Sequence, residues 1–165
     1  MKLLAVLIAC TSAAIDYKTH KIPNKITVNA VFAGVILNFF LSGFDGLLQS
    51  FLGALIGFSF ILLWILGALK AGDVKLYMAL GALGGWRFGL NTMIYSLIIG
   101  GVAAFFVMVT QKNGRKSFRN LWNYGVNLFL TRKFHTYEGD ESAYFCFGGC
   151  IAAGAFASLV FAGVV

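Results

Sequence analysis

Long apolar stretches separated by short polar segments dominate this sequence and limit the folds open to it. Hydrophobic residues make up 59% of the 165 positions and charged residues 12%, a balance that excludes a water-soluble globular domain of this size. The apolar stretches are continuous and do not alternate with polar residues, so they predict helices. Since a helix needs ~20 apolar residues to cross a bilayer, we predict an all-α membrane protein built as a compact polytopic bundle.

Apolar continuity predicts about six transmembrane helices, with charged or turn-rich segments at their ends. The predicted spans are 2–15, 28–42, 47–69, 74–88, 91–110 and 144–164. The first and fourth are short for a ~30 Å hydrocarbon core, so we expect them to be buried among the others or to extend beyond their apolar stretches. Segment 111–143 is predicted to be a cytoplasmic loop, and its mixture of basic and apolar residues is typical of an amphipathic helix in the membrane interface.

The positions of lysine and arginine predict the orientation of the chain. All of them except Lys2 and Arg87 lie in the segments that follow spans 1, 3 and 5. Cytoplasmic loops are enriched in these residues, so the three segments are predicted to face the cytoplasm and both chain ends to face outside. Because the charge is divided among loops, the net charge of +7 does not indicate nucleic-acid binding. Nothing in the sequence sets the oligomeric state.

The three cysteines, Cys10, Cys146 and Cys150, lie inside apolar stretches. They lack the spacing of a metal site or a disulfide framework, and we expect them to be packing residues.

Two aspartates lie where predicted helices end on the cytoplasmic side. Asp16 follows the first span, and Asp73 lies between the third and the fourth. Two neighbouring carboxylates can share a proton, so that one takes a proton from water and the other donates one to a carbonyl oxygen. In the alternative interpretation both are interfacial residues paired with nearby lysines. Asp45, in a short glycine-containing turn, is better explained by turn formation.

The residues around the two aspartates form two motifs. Asp16 precedes Lys21-Ile22-Pro23-Asn24, which contains the single proline of the chain, and Asp73 closes Lys70-Ala71-Gly72-Asp73 and is followed by Val74-Lys75-Leu76. Together they resemble type IV prepilin peptidases, in which one aspartate precedes an Ile-Pro-Asn turn and a second ends Gly-x-Gly-Asp before a hydrophobic-Lys-Leu sequence. The resemblance covers about residues 1–110 and is closest to the short TadV/CpaA-like members.

This resemblance implies a single transmembrane peptidase domain over 1–165, an integral-membrane aspartic endopeptidase with Asp16 and Asp73 as catalytic residues. The implied supporting or positioning residues are Gly72, Lys75, Lys21, Ile22, Pro23 and Asn24. The implied substrate is a single-span prepilin or pseudopilin, whose basic leader is removed at the cytoplasmic face of the bacterial inner membrane. The resemblance implies neither a cofactor nor a metal. The cysteine-rich segment of longer relatives, associated with methylation of the new N-terminus, has no counterpart here.

Some of the supporting residues also have simpler explanations. Pro23 is expected near the start of the second helix, since proline fits a first helical turn, and Asn24 is expected to cap that helix. Lys21 and Lys75 could bind substrate carboxylates, although topology alone explains lysines in cytoplasmic loops. His20 is a weaker candidate base, because two acids suffice for the chemistry.

Two other functions stay open at this point. Lys70 stands where the family has its first motif glycine, and glycine permits backbone conformations that lysine avoids, which favours an inactive membrane scaffold of a pilus or secretion assembly. An ion-coupled carrier could use the two carboxylates as a proton relay, but it would need them near the bilayer midplane.

Overall fold

The computed structural model describes residues 1–19, 23–65, 69–110 and 147–161, and every regular element in these ranges is a helix. The helices are α1 (Lys2–Thr19), α2 (Asn24–Phe58), α3 (Ile61–Ile65), α4 (Ala71–Gly84), α5 (Trp86–Thr110) and α6 (Phe147–Phe161). The predicted all-α class is therefore confirmed. The chain divides into two compact units, Met1–Ile99 with Cys146–Val165, and Gly100–Phe145. The predicted loop 111–143 lies outside the described residues.

Two segments are long and apolar enough to cross a bilayer. They are Asn24–Ile65, with 42 residues, and Trp86–Phe106, with 21. Large apolar side chains cover the surface of these segments, and Phe40 and Phe44 are 79% and 78% exposed, as expected of helices surrounded by lipid. Six spans remain a prediction, since two candidate spans are seen in the described part of the chain.

The helix α2 is a hairpin of two antiparallel arms. In a straight helix, residues 16 positions apart are separated by ~24 Å, yet the Ser50 hydroxyl donates to the Gly34 carbonyl at 3.4 Å, and the Asn38 amide donates to the Ser50 hydroxyl at 2.8 Å. The chain reverses at Gly43, where φ is 58° and ψ is −136°, in the left-handed region that glycine adopts most readily. This reversal coincides with the turn predicted between the second and third spans.

The short helix α4 packs against both arms of α2. A Cβ atom added to Gly53 would overlap the carbonyl of Gly81, and one added to Gly34 would lie 2.9 Å from the carbonyl oxygen of Ala82. Such close backbone approach is how helices associate in lipid. Most of the 14 residues of α4 are buried, as expected for a predicted span shorter than the ~20 residues of a lipid-exposed one. The helix α1 instead extends beyond its apolar stretch to Thr19.

Some predicted helix ends were wrong. The fourth span was predicted to end at 88, but α4 ends at Gly84 because Gly85 has φ of 82°, and α5 begins directly at Trp86. The third span was predicted as continuous over 47–69, but a turn at Ser59 and Phe60 separates α2 from α3.

Candidate active site

The buried face of α1 directs Asp16 into the first unit. The residues Ala5, Ala9, Ser12 and Asp16 are all buried, and their spacing of three and four places them on one side of the helix. The Asp16 side chain is 2% exposed. Burying an ionised carboxylate without polar partners costs much free energy, so neighbouring groups must offset that cost.

Asp73 lies in the first turn of α4 and is held by the turn itself. One of its oxygens, Oδ2, accepts a hydrogen bond from the backbone N–H of Lys70 at 3.1 Å, the reach-back contact of a helix-capping residue. Asp73 is also 2% exposed. Lys70 itself has φ of −83° and ψ of 152°, an extended conformation open to any residue, so the described backbone does not require the glycine that the family motif carries there.

The two aspartates are electrostatically coupled. Burial raises the pKa of Asp73 to about 6, the hydrogen bond from the Lys70 backbone opposes this rise, and the nearby charge of Asp16 adds to it. The helices that carry the two residues, α1 and α4, pack against each other. The structure therefore brings together the two acids that the sequence singled out, at one end of the first unit.

A hydrogen bond joins the two motif segments next to this pair. The ammonium group of Lys75 donates to the side-chain oxygen of Asn24 at 2.9 Å, which ties the start of α4 to the start of α2. Pro23 is the residue before α2, as predicted. The predicted capping role of Asn24 was wrong, because Asn24 is the first helical residue and its side chain accepts from Lys75. Gly72 is helical, half-buried and adjacent to Asp73.

The structure describes only some of the remaining residues that the sequence analysis named. Lys21, Ile22 and His20 lie outside the described residues, as does Cys146. Cys10 is exposed and Cys150 is buried. Within the described ranges, no three histidine, cysteine, aspartate or glutamate side chains are grouped closely enough to hold a metal ion.

One hydrogen bond to the aspartate pair could not be predicted from the sequence. The backbone N–H of Gly148, in α6, donates to Oδ2 of Asp16 at 3.3 Å. Because the donor is a main-chain group, no side-chain motif marks the position.

Fold and site together define a helical membrane protein with two coupled, buried aspartates at the ends of neighbouring helices. The sequence pattern of the type IV leader peptidase family matches residues 3–105, a range that includes both aspartates. The chain belongs to this family.

Individual relatives agree with this assignment. The prepilin leader peptidase/N-methyltransferases of Burkholderia pseudomallei strains 1026b and K96243 are each 29% identical to the chain over 131 residues. The match covers 74% of this chain and 40% of each relative, so the chain spans less than half the length of these proteins. No solved structure matches it significantly.

Proposed function

We propose that this protein is a membrane-embedded aspartic endopeptidase that removes the basic leader of prepilin or pseudopilin substrates. The observation that carries the proposal is the coupling of two buried aspartates, Asp16 and Asp73, on neighbouring helices. Membership of the leader peptidase family and the names of the two relatives support the substrate class.

The surroundings of the two acids suggest different roles in hydrolysis. Asp73, whose pKa is raised to about 6, holds a proton more strongly than an ordinary carboxyl and is suited to donate it to the scissile carbonyl oxygen. Asp16 is suited to take a proton from the attacking water. When the tetrahedral gem-diol breaks down, Asp16 gives its proton to the leaving amine and Asp73 takes a proton back from a diol hydroxyl. The C–N bond breaks, the carbonyl re-forms as a carboxyl group, and the pair returns to its starting state.

The charge at the two ends of the first unit supports an active site that faces the cytoplasm. The lysines Lys18, Lys25, Lys70 and Lys75 flank the candidate site, whereas Lys2 and Arg87 lie toward the other end. In an inner membrane, the end richer in lysine faces the cytoplasm, where the basic leader of a single-span substrate would also lie. Scission would then take place at the membrane interface.

The two competing functions lose support in this geometry. The scaffold interpretation depended on Lys70, and the backbone at Lys70 is one that lysine adopts without strain. A proton-relay carrier would need acids near the middle of the membrane, whereas both aspartates belong to the end turns of their helices.

The proposal is tested by replacing each acid with its amide. Asp16→Asn and Asp73→Asn should each abolish cleavage of a co-expressed prepilin-like substrate, because asparagine keeps the shape but cannot exchange the proton. The double variant should be no worse than either single one, since groups that act as a unit lose activity together. Cleavage is measured by the mobility shift of the substrate, normalised to inserted enzyme.

Asp45→Asn provides the matched control. Asp45 is exposed in the α2 hairpin, so its replacement should leave cleavage unchanged. Substantial cleavage by either Asp16→Asn or Asp73→Asn would contradict the paired-aspartate mechanism. A wild-type chain that cleaves no prepilin-like substrate would instead favour the scaffold function.

A further inference from the structure

The helix α6 contacts one of the two acids through its backbone. The N–H of Gly148 donates to Oδ2 of Asp16 at 3.3 Å. The helices α1 and α6 pack along each other, which holds this contact within the first unit.

The same position leaves no space for a side chain. A Cβ atom on Gly148 would lie 2.9 Å from Oδ2 of Asp16 and 3.2 Å from its Cβ. At the next residue, Gly149, an added Cβ would meet no atom of the described residues within 4 Å. Two adjacent glycines of one helix therefore differ sharply in their environment, and Gly148 is the one against the carboxylate.

We propose that Gly148 is a positioning residue for Asp16, which makes α6 a working part of the candidate active site. This inference rests on the proposed peptidase function. The N–H of Gly148 fixes the rotation of the Asp16 carboxylate, and the missing side chain lets the helix approach closely enough to do so. A carboxylate displaced by ~1 Å would no longer align with water and scissile bond, a misplacement that can reduce a rate ~100-fold.

The kinetic test compares two alanine substitutions in consecutive positions. Gly148→Ala should lower kcat by about 10- to 100-fold and leave KM within about twofold, because the added methyl displaces Asp16 without touching a substrate contact. Gly149→Ala changes the same residue type in the same helical turn and should leave both constants unchanged. Equal activity of Gly148→Ala and wild type would overturn the inference, and so would an equal loss in Gly149→Ala.

A disulfide cross-link tests whether residues 16 and 148 lie next to each other. It needs neither an active enzyme nor the Gly148→Ala variant. Disulfide Cβ atoms are usually ~3.5–4.5 Å apart, and the 3.2 Å at this pair would need to widen by only a few tenths of an ångström. In a chain whose native cysteines are replaced by serine, Asp16→Cys with Gly148→Cys should cross-link under mild oxidation, and Asp16→Cys with Gly149→Cys should not. Failure of the first pair to cross-link in inserted protein would overturn the inference.

The two experiments separate this inference from the proposed function. If the wild-type enzyme cleaves a prepilin-like substrate and Gly148→Ala is unimpaired, the positioning role fails while the peptidase function stands. If no substrate is cleaved but the Asp16–Gly148 cross-link forms, the peptidase function fails and the contact remains.

Discussion

At the scale of single residues, the two aspartates are held by different kinds of contact. One donor to Asp73 is the backbone N–H of Lys70, three positions earlier in the same turn. One donor to Asp16 is the backbone N–H of Gly148, which belongs to another helix. The first of these contacts can form as soon as α4 does, whereas the second depends on the packing of α1 against α6.

The raised pKa of Asp73 leads to an expected pH dependence of cleavage. Asp73 keeps its proton up to a pH of about 6, so if it is the general acid, the rate should fall as the pH rises through about 6. The measurement is cleavage of a prepilin-like substrate by purified enzyme between pH 5 and 8. A rate that stays constant over this range would contradict the assignment of Asp73 as the acid, and Asp45→Asn should keep the wild-type profile.

The same shift gives a second readout that needs no substrate. Folding raises the pKa of Asp73 from 3.8 to about 6, so its contribution to stability is complete below about pH 3.8 and is lost as the pH rises through about 6. We therefore expect the thermal unfolding midpoint of the wild type to fall as the pH rises through about 6. The Asp73→Asn variant should not show this fall, because asparagine has no proton to lose.

The sequence predicted part of the site because part of it is local. Asp16 and Asp73 each lie in a short motif that can be recognised without knowing the fold. Gly148 could not be found, because a glycine in an apolar helix has many explanations and its contact is made across 132 positions. Asn24 was assigned to its own helix because capping preferences describe isolated helices, whereas its partner, Lys75, is supplied by α4.

At the scale of helices, the first unit is organised by close contact between α2 and α4. The hairpin arms of α2 approach α4 at Gly34, Gly53 and Gly57, all of which are buried. Because Asp73 lies in the first turn of α4, these contacts also set the depth of that acid relative to the other helices. The turn at Gly43 was predictable from the glycines and polar residues around it. The contact of Gly53 with Gly81 was not, because it depends on which side of each helix faces the other helix.

A methyl group at the α2–α4 contact should destabilise the bundle. The added Cβ of Gly53→Ala would overlap the backbone of Gly81, and overpacking of this kind costs about 1–3 kcal/mol. We expect a lower thermal unfolding midpoint in detergent, and less inserted protein. Gly101→Ala is the matched control, since its Cβ would meet no atom within 4 Å in the part of the chain that the structure describes. Equal midpoints for the two variants would show that the close backbone contact does not limit stability.

At the scale of the molecule, the first unit has two chemically different ends. One carries the aspartates and most of its lysines. At the other, a cavity of about 530 Å³ is lined by the start of α1, the hairpin turn of α2 and the end of α4, with Lys2, Asn38 and Gly85 among its residues. The hydropathy pattern predicted which segments share an end, because alternate loops of a membrane protein lie on alternate sides. It could not predict the cavity, which depends on side-chain packing.

Labelling of single cysteines should distinguish these two ends. In a chain without native cysteines, Phe44→Cys should react with a membrane-impermeant maleimide added to intact spheroplasts, and Tyr17→Cys should react only after the membrane is opened. The side chains of Phe44 and Tyr17 are 78% and 77% exposed, so a difference in labelling between the two variants would not result from burial. The cysteine-free chain controls for background. Reaction of Tyr17→Cys from outside would reverse the orientation and place the aspartates on the wrong side for a cytoplasmic leader.

The contact between Asp16 and Gly148 also has a consequence for the timing of synthesis. The two residues are 132 positions apart, and at ~5–20 residues per second a ribosome needs about 7 to 26 s to make the intervening chain. During that interval α1 exists without α6, so Asp16 has no donor from this helix. If Gly148 positions Asp16 as proposed, a nascent chain is inert toward neighbouring prepilins until its last described helix has been made and has docked.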